Sequence, residues 1–190
     1  MSHAEDAPGS VAASAAEAPE RVVLVDDAGT PIGTADKSAI HAGDTPLHLA
    51  FSCHVFSPDG HVLVTRRALG KATFPGVWTN AFCGHPAPGE ELQDAVRRRG
   101  VHELGIEIGA LEPALPDFRY RAVDASGVVE NEICPVFRTV FDGDPAPAPS
   151  EVAEWAWVTP AALRAAVEAT PFAFSPWLVL QLEQWGGFGR

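Results

Sequence analysis

Positive charge is scarce in this 190-residue chain, which has 13 Lys and Arg against 25 Asp and Glu and a formal net charge of -12. Binding to nucleic acid or to an anionic membrane surface depends on clustered basic side chains. We therefore expect no nucleic-acid and no membrane partner, and an anionic ligand would need a local group of basic residues.

Cysteines and long apolar runs are also few. The three cysteines form no regular framework and their odd number leaves one thiol free, which favours a reducing compartment. The longest apolar stretch, WLVLQL at 177–182, is far shorter than the roughly 20 residues that cross a bilayer. The first 20 residues lack the basic start of a signal peptide. We expect a cytoplasmic protein and a monomer.

Hydrophobic residues make up 46% of the chain, which suffices for one core. We predict a disordered, acidic, alanine-rich tail over residues 1–20, a single domain over 21–186 and a short C-terminal tail over 187–190.

Strand-like runs alternate with turn signals from Arg21 onward. RVVLVDDAG predicts a strand and a turn, and two longer runs predict hairpins around SPDG and DASG. Helices are predicted over 90–104, over 160–168 and from about residue 175, with Gly105 closing the first and Gly100 closely packed. We expect Pro135 at a sheet edge or a bulge. The pattern predicts an α+β fold, a mixed sheet between helices.

Histidines and carboxylates occur in a pattern that suits a metal ion. The residues are His41, His48, His85, Glu130 and Glu132. A spacing of two on a strand points both glutamates to one face. Imidazole and carboxylate ligands together favour Mn²⁺ or Zn²⁺. Spacing alone does not bring these segments together, and solvated surface histidines explain the same pattern.

Residues 84–106, GHPAPGEELQDAVRRRGVHELGI, resemble the Nudix box, a loop-helix-loop that holds a divalent cation against a diphosphate. The positions that match the box are Gly84, Glu90, Arg98, Glu103, Gly105 and Ile106. Arg99 and His102 occupy positions where Nudix hydrolases carry two metal-binding glutamates. A water activated for attack on a diphosphate would lose much of its support.

The segment from about residue 21 to 183 resembles the type I isopentenyl-diphosphate Delta-isomerases, which are Nudix-fold enzymes. The matching stretches are HAGDTPLHLAFS, LVTRRAL, FPGVWTNAFCGHP, PDFRYRA, GVVENEICPVF and TPFAFSPW. The resemblance implies interconversion of isopentenyl and dimethylallyl diphosphate through a tertiary carbocation. It also implies that the three histidines and two glutamates converge on one divalent ion.

The resemblance further implies two proton-transfer groups, Cys83 and Glu132, on opposite faces of the substrate, with Tyr120 near the glutamate. Our hypothesis is that Glu132, Tyr120 and the metal deliver one proton and that Cys83, as thiolate, accepts the other. We expect Trp177 to face the carbocation, because an indole ring attracts cations. Without the resemblance, a core tryptophan would be the better interpretation of Trp177.

Basic side chains and a second ion are expected at the diphosphate. The candidates are Lys37, Arg67, Lys71 and Arg99, since guanidinium and ammonium groups match phosphate oxygens. The resemblance implies Mg²⁺ bridging the diphosphate, with Glu103 as its protein ligand. Solvated surface residues are the alternative for each.

Two other functions stay open from the sequence. A Nudix diphosphohydrolase would release phosphate, but two of its glutamates are missing. A noncatalytic Nudix-fold protein that binds a metal or a ligand would tolerate loss of the Cys83 thiol.

Overall fold

A computed structural model describes residues 20–188. Twelve strands form two mixed sheets, and four α-helices and one 3₁₀ helix complete the described chain. The strands are β1 (Arg21–Val25), β2 (Pro31–Asp36), β3 (His48–Leu49), β4 (Phe51–Phe56), β5 (Val62–Arg67), β6 (Trp78–Thr79), β7 (Phe82–Gly84), β8 (Glu112–Leu115), β9 (Arg119–Val123), β10 (Val129–Ile133), β11 (Val136–Val140) and β12 (Val152–Val158). The helices are α1 (Lys37–Ile40), α2 (Leu92–Leu104), α3 (Pro160–Ala169) and α4 (Pro176–Gln184), with the 3₁₀ turn at Pro171–Ala173.

The smaller sheet has the order β2-β1-β3-β10-β9, and the larger has the path β12-β5-β4-β11-β8 with β6 on β5 and β7 on β4. Each sheet contains one parallel pair, β3 with β10 and β4 with β11. The predicted hairpins are present at SPDG and DASG, where Gly60 and Gly127 have φ of +86° and +89°. The predicted α+β fold with a mixed sheet is confirmed.

Helices cover both faces of the larger sheet. On one face, alternate residues of β4 such as Phe51 and Val55 pack with Val96 of α2. On the other, Val62 and Val64 of β5 pack with α3 and α4. This alternation is the period of two that the sequence predicts for a strand covered on both sides.

Helix α2 ends as predicted at Gly105, which has φ of +65° and donates its backbone N–H to the carbonyl of Val101. Gly100 allows close packing, since a Cβ there would lie 2.6 Å from Cγ1 of Ile108. The proline-rich loop after β11 then meets the end of α2, where Ala148 N–H donates to the carbonyl of Glu103.

Two strands that the sequence suggests are continuous are in fact divided between the sheets. The chain passes from β3 to β4 at Ala50 and from β10 to β11 at Cys134–Pro135. The predicted sheet edge at Pro135 is wrong, because this residue lies between two interior strands, but the pairing of β11 with β8 has an irregular register immediately after it, at Val136–Phe137. Backbone bonds tie the crossings together, because Ala50 and Ser52 donate to the carbonyls of Ile133 and Pro135.

The ends of the described chain are packed against the domain. Phe188 is only 7% exposed and packs edge-to-face with Trp185 and His54, so the packed region extends two residues past the predicted boundary at 186. Glu20, assigned to the predicted tail, pairs with Lys37. Residues 1–19 and 189–190 lie outside the described residues, and so do the tails predicted for them. Across 20–188 no helix has the length and apolar character that a bilayer crossing requires.

Candidate active site

A cavity of about 520 Å³ opens beside the two crossings between the sheets. Every residue predicted for the site lines it except His48, which is fully buried behind it. Distant segments supply the lining: β7 from the larger sheet, β9 and β10 from the smaller sheet, and α1, α2 and α4. The fold thus brings together the segments that the spacing of residues could not connect.

Three imidazoles and a carboxylate converge at one side of this cavity. One ligand atom from each of His41, His48, His85 and Glu132 lies within 4.8 Å of the others. His48 Nε2 and His85 Nε2 are 3.2 Å apart, and His85 Nε2 is 3.1 Å from Glu132 Oε1. The parallel register of β3 and β10 sets His48 directly beside Glu132. Glu130 lies at the edge of this group, with Oε2 3.1 Å from His41 Nε2.

The donor atoms suit a divalent cation. His48 Nδ1–H donates to the Pro46 carbonyl at 2.9 Å, and His41 Nδ1–H reaches the Lys37 carbonyl at 3.4 Å. Both Nε2 lone pairs are thereby left for a metal, which is the usual arrangement of ligating histidines. Within residues 20–188, His41 Nε2 and Glu130 Oε2 are buried and lie 3.1 Å apart without the geometry of a hydrogen bond, and neither atom has another hydrogen-bond partner. Buried polar atoms without hydrogen bonds destabilise a fold unless a ligand binds them. These residues therefore fit a divalent-metal site.

The ionisable groups of the cluster shift one another's pKa values. Burial opposes ionisation of Glu132, but its hydrogen bonds and charge interactions with His48 and His85 prevail and hold its pKa well below the usual value. Burial also opposes protonation of His48, yet Glu132 raises its pKa, whereas burial lowers the pKa of His85. A carboxylate fixed as an anion beside imidazole nitrogens is the charge state that a cation needs.

The Cys83 thiol lies in a polar pocket on the opposite sheet. Its Sγ is 3.2 Å from Ser52 Oγ and 3.4 Å from Asn80 Oδ1. Burial raises the pKa of Cys83 to about 12, although the bonds to Ser52 and Asn80 partly offset the effect. The thiol, not the expected thiolate, is the form that this environment favours.

Aromatic rings close the cavity beside the thiol. Trp177 is 2% exposed, donates its indole N–H to Asn80 Oδ1 at 3.0 Å and lies 5.7 Å from the Tyr120 ring. Arg67 Cζ lies 5.4 Å from the centroid of the indole. Tyr120 is the cross-strand partner of Glu132, and burial together with that carboxylate raises the pKa of its phenol.

Four basic side chains line the rest of the cavity, and most are already paired with carboxylates. Lys37 Nζ is 2.6 Å from Glu20 Oε2, and Lys71 pairs with Glu151. Arg99 NH2 is 2.6 Å from Glu103 Oε1 and 3.5 Å from Glu151 Oε1. Substrate phosphates would therefore have to share these basic side chains with the carboxylates or displace the carboxylates from them.

Arg67 and Glu103 are held differently. Arg67 donates through Nε and NH2 to the backbone carbonyl of Thr73, which aligns the loop after β5. Glu103 lies outside the histidine cluster, where burial raises its pKa despite the charge of Arg99.

The matched Nudix-box pair Arg98 and Glu90 forms a two-point ion pair with both contacts at 2.7 Å, and Arg98 also donates to the His85 carbonyl. This contact fixes the loop that carries His85.

Several residues at the site were not predicted from the sequence, although Ser52 and Asn80 lie within stretches that carry the family resemblance. Ser52, Asn80 and Gln181 are fully buried around Cys83, and Glu151 and Glu20 pair with the predicted diphosphate cations. Polar residues that are buried within an apolar strand or helix pattern, such as Ser52 and Gln181, are the one cue that could have found them.

Comparison with known proteins shows which family this chain belongs to. The NUDIX domain pattern matches residues 46–178. A protein of Agromyces mediolanus named isopentenyl-diphosphate Delta-isomerase is 62% identical over 180 residues, which cover 95% of this chain and 85% of that protein. A Kocuria rhizophila protein of the same name is 63% identical over 87% of this chain and 92% of its own length. The chain belongs to the isopentenyl-diphosphate Delta-isomerase family.

Solved structures support the Nudix fold of this isomerase family member. The Deinococcus radiodurans DR0079 protein superposes with a TM-score of 0.71 at 20% identity, covering 88% of this chain and 99% of that one. A MutT protein from Methanosarcina mazei gives a TM-score of 0.58 at 20% identity, covering 74% and 93%. The family prediction is confirmed.

In this isomerase family member, the two positions that lack the hydrolase glutamates have other uses. Arg99 is 4% exposed and pairs with Glu103, whereas His102 is exposed, with Nε2 3.7 Å from Glu151 Oε1. The cavity-facing side of α2 therefore presents the Arg99 cation where a hydrolase would present a carboxylate.

Proposed function

We propose that this chain converts isopentenyl diphosphate to dimethylallyl diphosphate by adding a proton to the terminal alkene carbon and removing one from the carbon beside the diphosphate-bearing methylene. The observation that carries the proposal is one cavity lined by Cys83 from the larger sheet and by Glu132 and Tyr120 from the smaller sheet. Groups from two sheets suit a flat hydrocarbon that exchanges protons on two faces.

Cys83 and Glu132 have different protonation states before the reaction begins. The raised pKa of Cys83 keeps a proton on sulfur, and the lowered pKa of Glu132 keeps its carboxylate ionised. Tyr120, whose pKa is also raised, is a proton carrier beside Glu132. At rest Cys83 therefore carries a proton and Glu132 does not, which is opposite to the starting states that the direction hypothesised from the sequence requires. General acid–base groups typically contribute about 10²–10⁴-fold to a rate.

The carbocation between these two steps needs a dry, electron-rich wall. The buried Trp177 offers an indole face, and Tyr120 lies beside it. A desolvated cation–π contact contributes about 2 kcal/mol. Burial of these rings also keeps water from trapping the cation.

The diphosphate is assigned to the basic end of the cavity, where Lys37, Arg67, Lys71 and Arg99 meet. We further propose that His41, His48, His85, Glu130 and Glu132 hold Mn²⁺ or Zn²⁺ and that Glu103 serves Mg²⁺ brought with the diphosphate. Bound cations would neutralise phosphate charge and keep the neighbouring carboxylate ionised. The cytoplasmic location, monomeric state and lack of nucleic-acid or membrane partners stay predictions.

A proton NMR time course tests the reaction. The purified chain is supplied with Mn²⁺ or Zn²⁺ and with Mg²⁺ and is incubated with isopentenyl diphosphate in deuterated water. The expected result is dimethylallyl diphosphate carrying deuterium in its methyl groups. Unchanged substrate with metal bound would contradict the proposal, and release of inorganic phosphate would favour a hydrolase.

Substitution separates catalysis from binding. We expect Cys83→Ala to lower kcat at least about 100-fold. The matched control is Cys53→Ala, which removes a fully buried thiol whose side chain does not line the cavity. Equal turnover in the two variants would remove the role assigned to Cys83.

A further inference from the structure

We propose that Ser52 is a positioning residue for Cys83 and that Gln181 and His54 fix the direction in which its hydroxyl donates. The inference rests on the proposed function, because it assigns meaning to the orientation of the Cys83 thiol. It adds three residues from β4 and α4 to the machinery of the site.

The side chains form one unbroken buried chain. His54 Nε2 is 2.9 Å from Gln181 Oε1, Gln181 Nε2 is 2.9 Å from Ser52 Oγ, and Ser52 Oγ is 3.2 Å from Cys83 Sγ. Ser52, His54 and Gln181 are each 0% exposed. Polar groups buried this deeply are retained only when their hydrogen bonds are satisfied, so their arrangement is specific.

The direction of each bond follows from the first member. His54 is packed among Trp185 and Phe188, and burial lowers its pKa to about 4, so its imidazole is neutral near pH 7. Its single proton lies on Nε2, where it has an acceptor, because Nδ1 has no partner within residues 20–188. His54 therefore donates to Gln181 Oε1.

This first bond sets the remaining two. With Oε1 facing His54, the Gln181 amide directs its N–H to Ser52 Oγ. Ser52 accepts that bond and must donate its own hydrogen elsewhere. The acceptors within reach are Cys83 Sγ at 3.2 Å and Cys134 Sγ at 3.5 Å, and the shorter contact points to Cys83.

Asn80 fixes the other side of the same sulfur. Its Nδ2 donates to the carbonyls of Cys53 and Phe82 at 3.0 and 2.7 Å, so the amide cannot turn and Oδ1 acts only as an acceptor. That oxygen receives the Trp177 indole N–H and lies 3.4 Å from Cys83 Sγ. The sulfur is held between an obligate donor, Ser52, and an obligate acceptor, Asn80.

The consequence is a sulfur held in one position at the wall of the cavity in which the proposed reaction takes place. Small misplacements of a reacting group of about 1 Å can cost on the order of 10²-fold in rate. Binding of the diphosphate, which depends on the basic end of the cavity, should be unaffected. The signature of the arrangement is therefore a loss of kcat without a matching change in KM.

The test uses the metal-supplied full chain and isopentenyl diphosphate as substrate. We expect Ser52→Ala to lower kcat about 10- to 100-fold with KM within about twofold. Gln181→Met, which keeps the length of the side chain but removes the amide, should lower kcat in the same way but less. Thr139→Ala is the matched control, because it removes a buried strand hydroxyl that donates to the Ala110 carbonyl, away from the cavity.

Two readouts separate positioning from general damage. If Gln181 acts through Ser52, the double variant has the kcat of Ser52→Ala alone, whereas independent effects multiply. The infrared S–H stretching band of Cys83, identified by its loss in Cys83→Ala, should shift in Ser52→Ala and in Gln181→Met but not in Thr139→Ala.

Several results would overturn the inference. These are an unchanged kcat in Gln181→Met, multiplicative losses in the double variant, or an unmoved S–H band. If Ser52→Ala fails to fold, Gln181→Met alone decides through its kcat and its band. If the unsubstituted chain does not isomerise the substrate, the proposed function fails, and the S–H band still tests the Ser52–Cys83 hydrogen bond.

Discussion

Acidification should destabilise this protein through His54, a residue that carries no charge in the native state. The imidazole is fully buried, and burial lowers its pKa from 6.5 to about 4, with only partial compensation by Gln181. The unfolded chain takes up the proton more readily than the folded chain, so stability is fully retained above about pH 6.5 and falls as the pH drops towards 4. A pKa difference of about 2.5 corresponds to about 3 kcal/mol in total, of which about 2 kcal/mol is lost between about pH 7.5 and about pH 5.

The assay is urea unfolding at a series of pH values, followed by tryptophan fluorescence; Trp185, one of the five tryptophans, packs on His54 with ring centroids 5.3 Å apart. The comparison is His54→Phe, which keeps an aromatic ring in the cluster but cannot titrate. Both proteins share every other ionisable group, so the difference in their pH dependence isolates His54. We expect the unsubstituted protein to lose about 2 kcal/mol more than the variant over that range. Parallel losses would refute the assignment of a buried, neutral His54.

Three further predictions follow from the geometry. Glu20→Gln should lower KM for isopentenyl diphosphate about two- to fivefold with kcat unchanged, because it frees Lys37 from a partly exposed ion pair; an unaltered KM would contradict this. Gly100→Ala should destabilise the fold by about 1–3 kcal/mol in chemical denaturation, because its Cβ would lie 2.6 Å from Ile108 Cγ1, and a more stable variant would show that the helix yields. Mn²⁺ or Zn²⁺ at about 100 times its Kd should raise the free energy of unfolding by about 2.7 kcal/mol, and an equal rise in His41→Ala would place the ion elsewhere.

The sequence predicts most elements of the fold because the signals are local. The turn at Gly60 and the end of α2 at Gly105 both need positive φ, which glycine adopts without strain. The division of two long apolar runs into strands of separate sheets was not predictable in this way. Ala50 and Pro135 lie within runs that each read as one long strand, and only pairing with distant strands decides which sheet each half joins.

The residues of the candidate site could also be predicted only in part from the sequence. The residues that the resemblance assigned lie around one cavity, but the residues that orient them are visible only in three dimensions. Ser52 and Gln181 are 129 positions apart, and nothing in their local patterns links them. Glu151 reaches Arg99 because the preceding loop bonds to the last carbonyls of α2, a contact that a proline-rich composition does not reveal.

The two crossings between the sheets explain why the site forms where it does. At each crossing a parallel pair ends in one sheet and another begins in the next: His48 lies beside Glu132 in the smaller sheet, and Ser52 lies beside Val136 in the larger. A few residues of chain therefore separate a metal-ligand cluster from the residue that holds the thiol. Because backbone hydrogen bonds fix both crossings, the carboxylate and the sulfur keep their places on two sides of one cavity without relying on a mobile loop. A strand that stayed in one sheet throughout would place His48 and Ser52 on one continuous surface, without the separation that puts Glu132 and Cys83 on two sides of one cavity.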